Sequence, residues 1–309
     1  MHRFVLHLPP HQLEKPSVRS TGFYGNLANE LRQRGAEVVF RERAYLRAHP
    51  NLESDAFHFV HQGLVQMPNA LNTGPSYLRD FWYADPKGVF GMSSLFDLQF
   101  DAGNVPPERA ASFADWLRRR IVNKRLSKHL QPNAAHTFVP GGIAVFLQGE
   151  SLPTKRVAFT DEARMVEALI SVRAGREVLI KRHPRNTADT CFPEIAAMAD
   201  ANDGVRIVDA NIHDMLAQAA VCASISSSVA VEAMLHNVPS LTFGRVDFHH
   251  CTQTVEWIDD VPEALEVALT RAWPYEAFLF WFFRQHCLDM RAKKWFATLN
   301  RRLGDFAFT

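Results

Sequence analysis

The sequence predicts an α/β protein with two doubly wound, Rossmann-like domains and a C-terminal helical segment that packs back on the first domain. Short apolar runs alternate with helical patterns in two stretches of the chain, which is typical of parallel sheets. Between these stretches, residues 131–142 contain Pro, Gly and Asn and have the composition of a linker. The length of 309 residues suits two domains of roughly 150 residues each. The predicted boundaries are 1–135, 143–272 and, for the C-terminal helices, 273–309.

The first domain opens with the buried-strand pattern RFVLHL, a helix from Thr21 to Gly35 and the strand AEVVF. This order predicts a strand–helix–strand unit and therefore a parallel sheet. The run AFHFV at 56–60 predicts a third strand. The stretch 61–107 is rich in Asn, Gly, Pro and aromatic residues and fits no regular element, which is typical of functional loops. Residues 107–130 predict one long helix, with Pro107 in its first turn.

The second domain shows the same alternation in a more regular form. Its predicted strands are IAVFLQ, EVLIK, VRIVD, AVCASI and PSLTF, each followed by a helical pattern. Five such repeats predict a doubly wound sheet, in which ligands bind outside the carboxyl ends of the strands. The remaining stretch, from Tyr275 to Leu303, predicts helix.

The overall charge argues against nucleic acid as a partner. Lys and Arg total 34 and Asp and Glu total 33, so the net charge is +1 and any anion binding must be local. Four widely spaced cysteines form no CxxC pair and predict a reducing compartment. Prolines interrupt the short apolar run at the N-terminus, so neither a signal peptide nor a membrane span is expected, and the predicted location is the cytoplasm.

A basic cluster ends one of the predicted strands of the second domain. Lys181, Arg182 and His183 follow the apolar run VLI, and Pro184 stops the strand. Guanidinium and imidazolium groups at the mouth of a sheet suit a phosphate. A solvated basic strand end produces the same pattern, so this cluster alone leaves both interpretations open.

A serine cluster ends a second strand and opens a helix. Ser226, Ser227 and Ser228 follow the run AAVCASI, and Glu232 lies one turn into the helix, within reach of a ribose or of a capping box. Hydroxyl and free N–H groups at a helix start can hold a phosphate. One serine would suffice as a plain N-cap, so three in a row favour binding. Because parallel strands end at the same sheet edge, both clusters should face one crevice.

These motifs resemble those of bacterial transferases that use CMP-activated sugars, most closely the capsule and lipopolysaccharide Kdo transferases. In that family a Gln-x-Glu segment precedes a helix and a Lys-x-His-Pro strand, and a strand ending in Ser-Ser follows. Here the segments are VFLQGES (145–151) and IKRHP, and the resemblance covers about residues 143–245. It implies the two-domain GT-B arrangement, a CMP-sugar donor, no cofactor and no metal.

The resemblance also implies site residues. The family's His-Pro histidine and paired serines bind the phosphate and ribose of CMP, and these roles fall on His183, Ser226 and Ser227, with Ser228 beside them. Gln148 matches the Gln-x-Glu segment and is expected to contact substrate. The sequence departs from the family after Glu150, where Ser151 and Leu152 follow and the Asp often found there is missing.

Three carboxylates are candidates for catalysis. Glu150 follows a strand end and could deprotonate the acceptor hydroxyl or attack the anomeric carbon. A loop or helix-capping acid would produce the same pattern, and Asp161 also suits a helix start. Asp85 is an alternative base in the first domain. The pair His249–His250 has no spaced set of further ligands, so no metal site is expected.

The first domain is expected to bind the acceptor. Gly22 and Tyr24 lie in a turn before a helix, where backbone N–H groups can meet an anion, although a simple helix start explains the turn as well. Asn72, Thr73 and Tyr77 combine polar and aromatic side chains in a way that suits sugar rings, while core packing remains the other interpretation.

The expected function is transfer of a sugar, most specifically Kdo, from a CMP-activated donor to a surface-polysaccharide or lipopolysaccharide acceptor, with either stereochemical outcome. The alternatives are a polyol-phosphate transferase using CDP-glycerol, a nucleotide-sugar epimerase, and a non-catalytic partner subunit. The aromatic and basic C-terminus could also contact the inner face of the cytoplasmic membrane, where glycolipid acceptors reside, or pack on the first domain.

Overall fold

The computed structural model describes residues 2–15, 21–48, 52–149, 152–184 and 190–308. The chain forms two compact units. The first unit comprises residues 1–98 with 283–309, and the second unit comprises residues 99–282. These limits differ from the predicted boundaries, because the helix after Pro107 and the linker belong to the second unit.

The first unit is built on a mixed sheet. In chain order its elements are β1 (Arg3–Leu8), α1 (Pro10–Leu13), α2 (Gly22–Gln33), β2 (Glu37–Glu42), α3 (Tyr45–Ala48), β3 (Ala56–His61), β4 (Ala70–Pro75), β5 (Phe81–Asp85), β12 (Leu288–Asp289) and α12 (Trp295–Asn300). The strand order is β12-β5-β4-β3-β1-β2. Strands β1 to β4 are parallel, whereas β5 and β12 run antiparallel to their neighbours.

Alternation along β1 explains how this unit forms its core. Phe4, Leu6 and Leu8 point to one face of the sheet, where Leu27 and Leu31 of α2 cover them. The C-terminal helix α12 adds Leu299 and other residues to the same cluster. The predicted packing of the C-terminal segment on the first domain is therefore confirmed.

The structure corrects three of the predicted secondary-structure assignments. The stretch 61–107 contains the strands β4 and β5, followed by short 3-10 turns. The C-terminal stretch is not one helix, because a π-helical turn (Trp281–His286) and strand β12 interrupt it. The helix that begins at Pro107 ends at Arg120 instead of 130.

The chain turns after the helix ends at Arg120, and Arg125 stabilises this turn. Arg125 has a positive φ of 50°, so the backbone does not resume a right-handed helix at this residue. Its guanidinium donates to the carbonyl oxygens of Asn133 and Ala134 and pairs with Asp214 at 2.7 Å. These contacts hold the linker against the second unit.

The second unit is a parallel doubly wound domain, as predicted. Its elements are α4 (Pro107–Arg120), β6 (Gly142–Phe146), α5 (Leu152–Val157), α6 (Glu162–Val172), β7 (Val178–Lys181), α7 (Phe192–Ala201), β8 (Val205–Ile207), α8 (Ile212–Leu216), β9 (Ala219–Ser224), α9 (Val229–Leu235), β10 (Ser240–Thr242), β11 (Gln253–Thr254), α10 (Val261–Thr270) and α11 (Tyr275–Phe280). The strand order is β11-β10-β9-β6-β7-β8. The strand order reverses between β6 and β9, which is where such sheets bind ligands.

Both faces of this sheet are covered, so its strands are apolar on both sides. Helices α6, α7 and α10 pack on one face, and helices α8 and α9 pack on the other. The aromatic residues of the C-terminal stretch are also largely buried, including Phe278, Phe283 and Phe296. No helix within the described residues is long and apolar enough to cross a membrane.

The role of the C-terminal segment can be tested with Leu299→Ala. Leu299 is fully buried in the core of the first unit, so truncation should lower the free energy of unfolding by about 2–5 kcal/mol. The matched control, Leu269→Ala, removes a side chain that is 36% exposed and should cost less than about 1 kcal/mol. Urea unfolding followed by circular dichroism measures both values. Equal losses would show that this segment contributes little to the core.

Candidate functional site

The residues after β6 and β9 meet at the point where the strand order reverses. The Nε2 of Gln148 donates to the Oγ of Ser226 at 3.3 Å, and the N–H of Ser226 donates to the Oε1 of Gln148 at 2.6 Å. One amide side chain therefore joins the two loops through both of its polar atoms. This places two sequence-predicted residues together at the carboxyl edge of the sheet, in the crevice where ligands bind in this fold.

A buried carboxylate that the sequence analysis missed fixes this loop. Glu162, in the first turn of α6, is 6% exposed and accepts hydrogen bonds from the backbone N–H groups of Gln148 and Gly149. Gly149 has a positive φ of 68°, so the turn suits glycine. The sequence did contain a signal for this role, since Glu162 directly follows the capping residue Asp161. A carboxylate in the first turn of a helix is well placed to accept hydrogen bonds from backbone N–H groups.

The serine turn before α9 is half-buried and forms hydrogen bonds within itself. The N–H of Ser227 donates to the Oγ of Ser224, and the Oγ of Ser227 accepts from the N–H of Val229. Ser228 precedes α9 and makes no cap hydrogen bond with its side chain. Glu232 is buried in the first turn of α9. Ser227 therefore stabilises the turn at the start of α9, which is the structural role that the sequence left open as an alternative to binding.

The adjacent basic side chains at the end of β7 have different contacts. The buried Lys181 donates from Nζ to the Oδ1 of Asp209 at 3.0 Å. The guanidinium of Arg182 lies over the ring of Phe192, 3.6 Å from its centroid. The buried Nε of Arg182 has no acceptor among the described residues. Pro184 follows as an exposed residue, and the predicted segment ends there because 185–189 lie outside the described residues.

His183 follows the last paired residue of β7, and a residue of the segment before the linker contacts it. Lys181 pairs with Phe146 across β7 and β6, so His183 lies near the loop that carries Gln148. The ring of His129 packs edge-on against His183, with centroids 4.9 Å apart. His129 was missed because it lies in a predicted helix far from any strand end.

The linker is held in place by side chains that follow β8. Asn211 donates to the carbonyl oxygens of Arg125 and Pro132, and Asp214 accepts from the backbone N–H of His136 at 2.9 Å. The N–H of Ile212 donates to the side chain of Gln131. These contacts give His129 a defined position beside His183.

The three catalytic candidates have different positions. Glu150 lies outside the described residues, directly after Gly149. Asp161 is the N-cap of α6 and accepts from the N–H of Arg164 at 2.8 Å. This contact gives Asp161 the capping role that the sequence left open.

Asp85 has a structural role in the first unit. It is buried at the end of β5, where its carboxylate accepts from the N–H groups of Lys87, Gly88 and Ser94 and from the hydroxyl of Ser94. Three of these hydrogen bonds converge on Oδ1 and one reaches Oδ2, so the carboxylate anchors the loop after β5.

A polar network lies at the carboxyl edge of the first unit's sheet. The hydroxyl of Tyr24 bonds to His61 Nδ1 at 2.7 Å and to Thr73 Oγ1 at 2.9 Å. Gln12 Nε2 lies 3.1 Å from His61 Nε2. If the Gln12 amide donates, neutral His61 carries its proton on Nδ1, donates to the Tyr24 oxygen, and Tyr24 donates to Thr73. The network can therefore hold or pass a proton.

Burial controls the protonation of this network. It lowers the pKa of His61 from 6.5 to about 4, assisted by the nearby positive charges of Arg43 and His11. Burial also raises the pKa of Tyr24 well above its ordinary value of 10.0. His61 and Tyr24 are therefore both uncharged at neutral pH. His61 could have been found from the sequence, because it follows a predicted strand. Residues that follow strands were considered as site candidates only in the second domain.

The other predicted acceptor residues are separate from this network. Gly22 begins α2 with a positive φ of 66° and is exposed. Asn72 is buried and bridges the backbone N–H and C=O of Val65. Tyr77 is buried against Tyr83 and Phe90. Of these candidates, the structure brings only Tyr24 and Thr73 into direct contact.

Solved structures share the fold of this chain. No protein-family model and no curated protein matches the sequence. The β-Kdo 2,4-transferase of KpsC from Thermosulfurimonas dismutans matches with a TM-score of 0.57 at 16% identity, over 90% of this chain and 89% of that chain. The β-Kdo 2,7-transferase of the same KpsC matches with a TM-score of 0.51 at 12% identity, over 92% and 91%.

These likenesses extend the resemblance inferred from sequence. They cover both units, so the restriction of the resemblance to about residues 143–245 was too narrow. The predicted fold class, two Rossmann-like domains of the GT-B type, is confirmed.

The buried network of the first unit makes stability depend on pH. Because the folded-state pKa of His61 is about 4 and its unfolded value is 6.5, the unfolded chain takes up the proton first as pH falls. The contribution of His61 is fully present above pH 6.5 and is lost between pH 6.5 and 4, at up to about 1.4 kcal/mol per pH unit. Urea unfolding at several pH values should show a shallower loss for His61→Gln than for the unsubstituted protein. Parallel curves would contradict this assignment.

Proposed function

We propose that this protein is a glycosyltransferase that moves a sugar from a nucleotide-activated donor to a surface-polysaccharide or lipopolysaccharide acceptor. The specific donor in this proposal is CMP-Kdo. The observation that carries the proposal is the pairing of Gln148 with Ser226 across the point where the strand order reverses, with His183 on the adjacent strand end. The shared fold with two Kdo transferase domains supports it.

In this proposal the second unit binds the donor nucleotide. The net charge of the chain is only +1, so the phosphate must be recognised by a local group. His183 would donate to the phosphate, and the hydroxyl groups of Ser226 and Ser228 would bind the phosphate and ribose. Lys181 would contribute little net charge, because its buried ammonium group is paired with Asp209. Arg182 would also contribute little, since its guanidinium lies on Phe192.

These groups would assist the departure of CMP. The bond between the anomeric carbon and the phosphate oxygen breaks, and the leaving phosphate takes the electron pair. Donors already fixed at that oxygen stabilise the developing charge without further reorganisation. The acceptor hydroxyl forms the new glycosidic bond and loses its proton. In this scheme the chain's own side chains stabilise the phosphate, and the absence of a metal requirement stays a prediction.

Glu150 remains the proposed catalytic carboxylate. It directly follows Gly149, whose N–H is bonded to Glu162. Asp161 and Asp85 are engaged as a helix cap and a loop anchor. Glu150 would remove the acceptor proton, or attack the anomeric carbon to form a covalent adduct that the acceptor then displaces.

The first unit would bind the acceptor at the edge of its own sheet. Tyr24, His61 and Thr73 are buried at the carboxyl ends of β3 and β4 and bonded to one another. This uncharged network would fix the floor of the acceptor site, and contact with a sugar would come from the residues above it. Gly22, Asn72 and Tyr77 stay weaker candidates because they lie outside this network.

Donor recognition is tested by the effect of nucleotides on thermal stability. CMP at about 100 times its Kd should raise Tm by roughly 5–10 °C, whereas UMP, GMP and UDP should have smaller effects. His183→Ala should weaken CMP binding about tenfold to a hundredfold, because it removes a charge-assisted hydrogen bond. The control His136→Ala changes an exposed histidine and should leave binding unchanged. Stabilisation by UDP and not CMP would contradict the CMP-sugar assignment.

Catalysis is tested by Glu150→Gln in an assay with CMP-Kdo, the glycan acceptor and mass analysis of products. The substitution should lower kcat by about 10²–10⁴-fold, because it removes the acid–base or nucleophilic group, while CMP affinity stays the same. The control Asp161→Asn should retain kcat and lose at most about 1 kcal/mol of stability. If kcat is unchanged in Glu150→Gln, the catalytic carboxylate lies elsewhere. Turnover of CDP-glycerol in place of CMP-Kdo would establish a polyol-phosphate transferase.

A further inference from the structure

The segment 118–130 concentrates positive charge within a nearly neutral chain. Its sequence, RRRIVNKRLSKHL, holds six lysine and arginine residues and no acid, whereas the whole chain has a net charge of +1. Three of the six make internal contacts, and Arg120 lies over the ring of Trp116. Arg118 pairs with Asp115 and Glu276, and Arg125 pairs with Asp214. Arg119, Arg120 and Lys124 are exposed.

Exposed leucines accompany these cations. Leu126 is 40% exposed and Leu130 is 91% exposed, although most leucines of the chain are buried. The segment therefore combines positive charge with exposed apolar side chains, which is the combination that surface-binding segments of peripheral proteins use.

The segment is held firmly while it presents these side chains. The N–H of Leu126 donates to the carbonyl of Ile121, and that of Asn123 donates to the carbonyl of Arg118, so the chain folds back on the end of α4. Nε2 of the buried His213 lies 2.8 Å from the carbonyl oxygen of Leu126. Burial lowers the pKa of His213, so it stays neutral and donates this bond at neutral pH. The leucines are therefore displayed from an ordered turn.

We propose that residues 118–130, the basic turn, dock on the surface of a bilayer that contains anionic lipids. Arg119, Arg120 and Lys124 attract the anionic headgroups, and Leu126 and Leu130 enter the boundary between headgroups and acyl chains. Nucleic acid would match the charge, but it offers no apolar phase for the two leucines. The C-terminal segment fits this role less well, because its aromatic side chains are largely buried. This docking does not depend on the proposed function.

The docking surface has one consequence for the site. Leu130 follows His129, whose ring contacts His183. Docking through Leu130 would therefore bring the nucleotide-binding edge of the second unit next to the lipid headgroups.

The test is sedimentation of the full-length protein with vesicles. Vesicles of about 30% phosphatidylglycerol in phosphatidylcholine should bind the protein, pure phosphatidylcholine should bind it weakly, and about 0.5 M salt should reduce binding. The triple variant Arg119→Gln, Arg120→Gln, Lys124→Gln should lower the partition coefficient about 100-fold, since each charge near the surface is worth about fivefold. The double variant Leu126→Ser, Leu130→Ser should lower it at least about tenfold.

The matched control removes the same charge from the C-terminal segment. Lys293→Gln, Lys294→Gln and Arg301→Gln are exposed positions, and this variant should bind vesicles within about threefold of the unsubstituted protein. Equal losses from both triple variants would overturn the proposal, because binding would then follow net charge alone. Unchanged binding of the leucine variant, together with RNA binding that only the Arg119, Arg120, Lys124 variant loses, would overturn it in favour of a nucleic-acid surface. An unchanged Tm confirms that each variant is folded, so a loss of binding reports on the surface itself.

Discussion

The buried carboxylate of Glu162 is the constraint on which the candidate site depends. It accepts hydrogen bonds from the backbone N–H groups of Gln148 and Gly149, which would otherwise be unpaired donors at the end of β6. With that turn fixed, the Gln148 side chain can reach Ser226 and join the loops after β6 and β9. An isolated donor or acceptor left unpaired in such a place costs about 1–3 kcal/mol, so the turn and the bridge support each other.

Two neighbouring basic residues at this edge are held by different structural contacts. Lys181 and Arg182 are adjacent in sequence, yet one pairs with Asp209 and the other lies on Phe192. A strand sends successive side chains to opposite faces, so a basic run at a strand end cannot deliver all of its charges to one ligand. His183 is the member of the run that lies beyond the last paired residue of β7.

The sequence was most informative where local rules decide the structure. Alternating apolar runs predicted the second sheet, and the strand-end rule predicted that the basic and serine clusters lie at the same edge of that sheet. The rule was not applied to the first unit, where it would have found His61 beside Tyr24 and Thr73. Glu162 and Asp85 could not be assigned in this way, because their roles depend on backbone donors brought together by the fold. The contact of His129 with His183 could not be predicted either. It depends on a turn that Arg125 stabilises by pairing with Asp214, which is remote in the sequence.

The return of the C-terminal segment to the first unit has a consequence for biosynthesis. The second unit is one continuous stretch, 99–282, whereas the first unit needs residues 283–309 for strand β12 and helix α12. The ribosome therefore releases every residue of the second unit before the last part of the first. Although chains usually fold from their N-terminus, the edge of β5 cannot pair with β12 until residues 288–289 have been synthesised. During that interval β5 presents an open strand edge, the kind of surface that chaperones shield from aggregation.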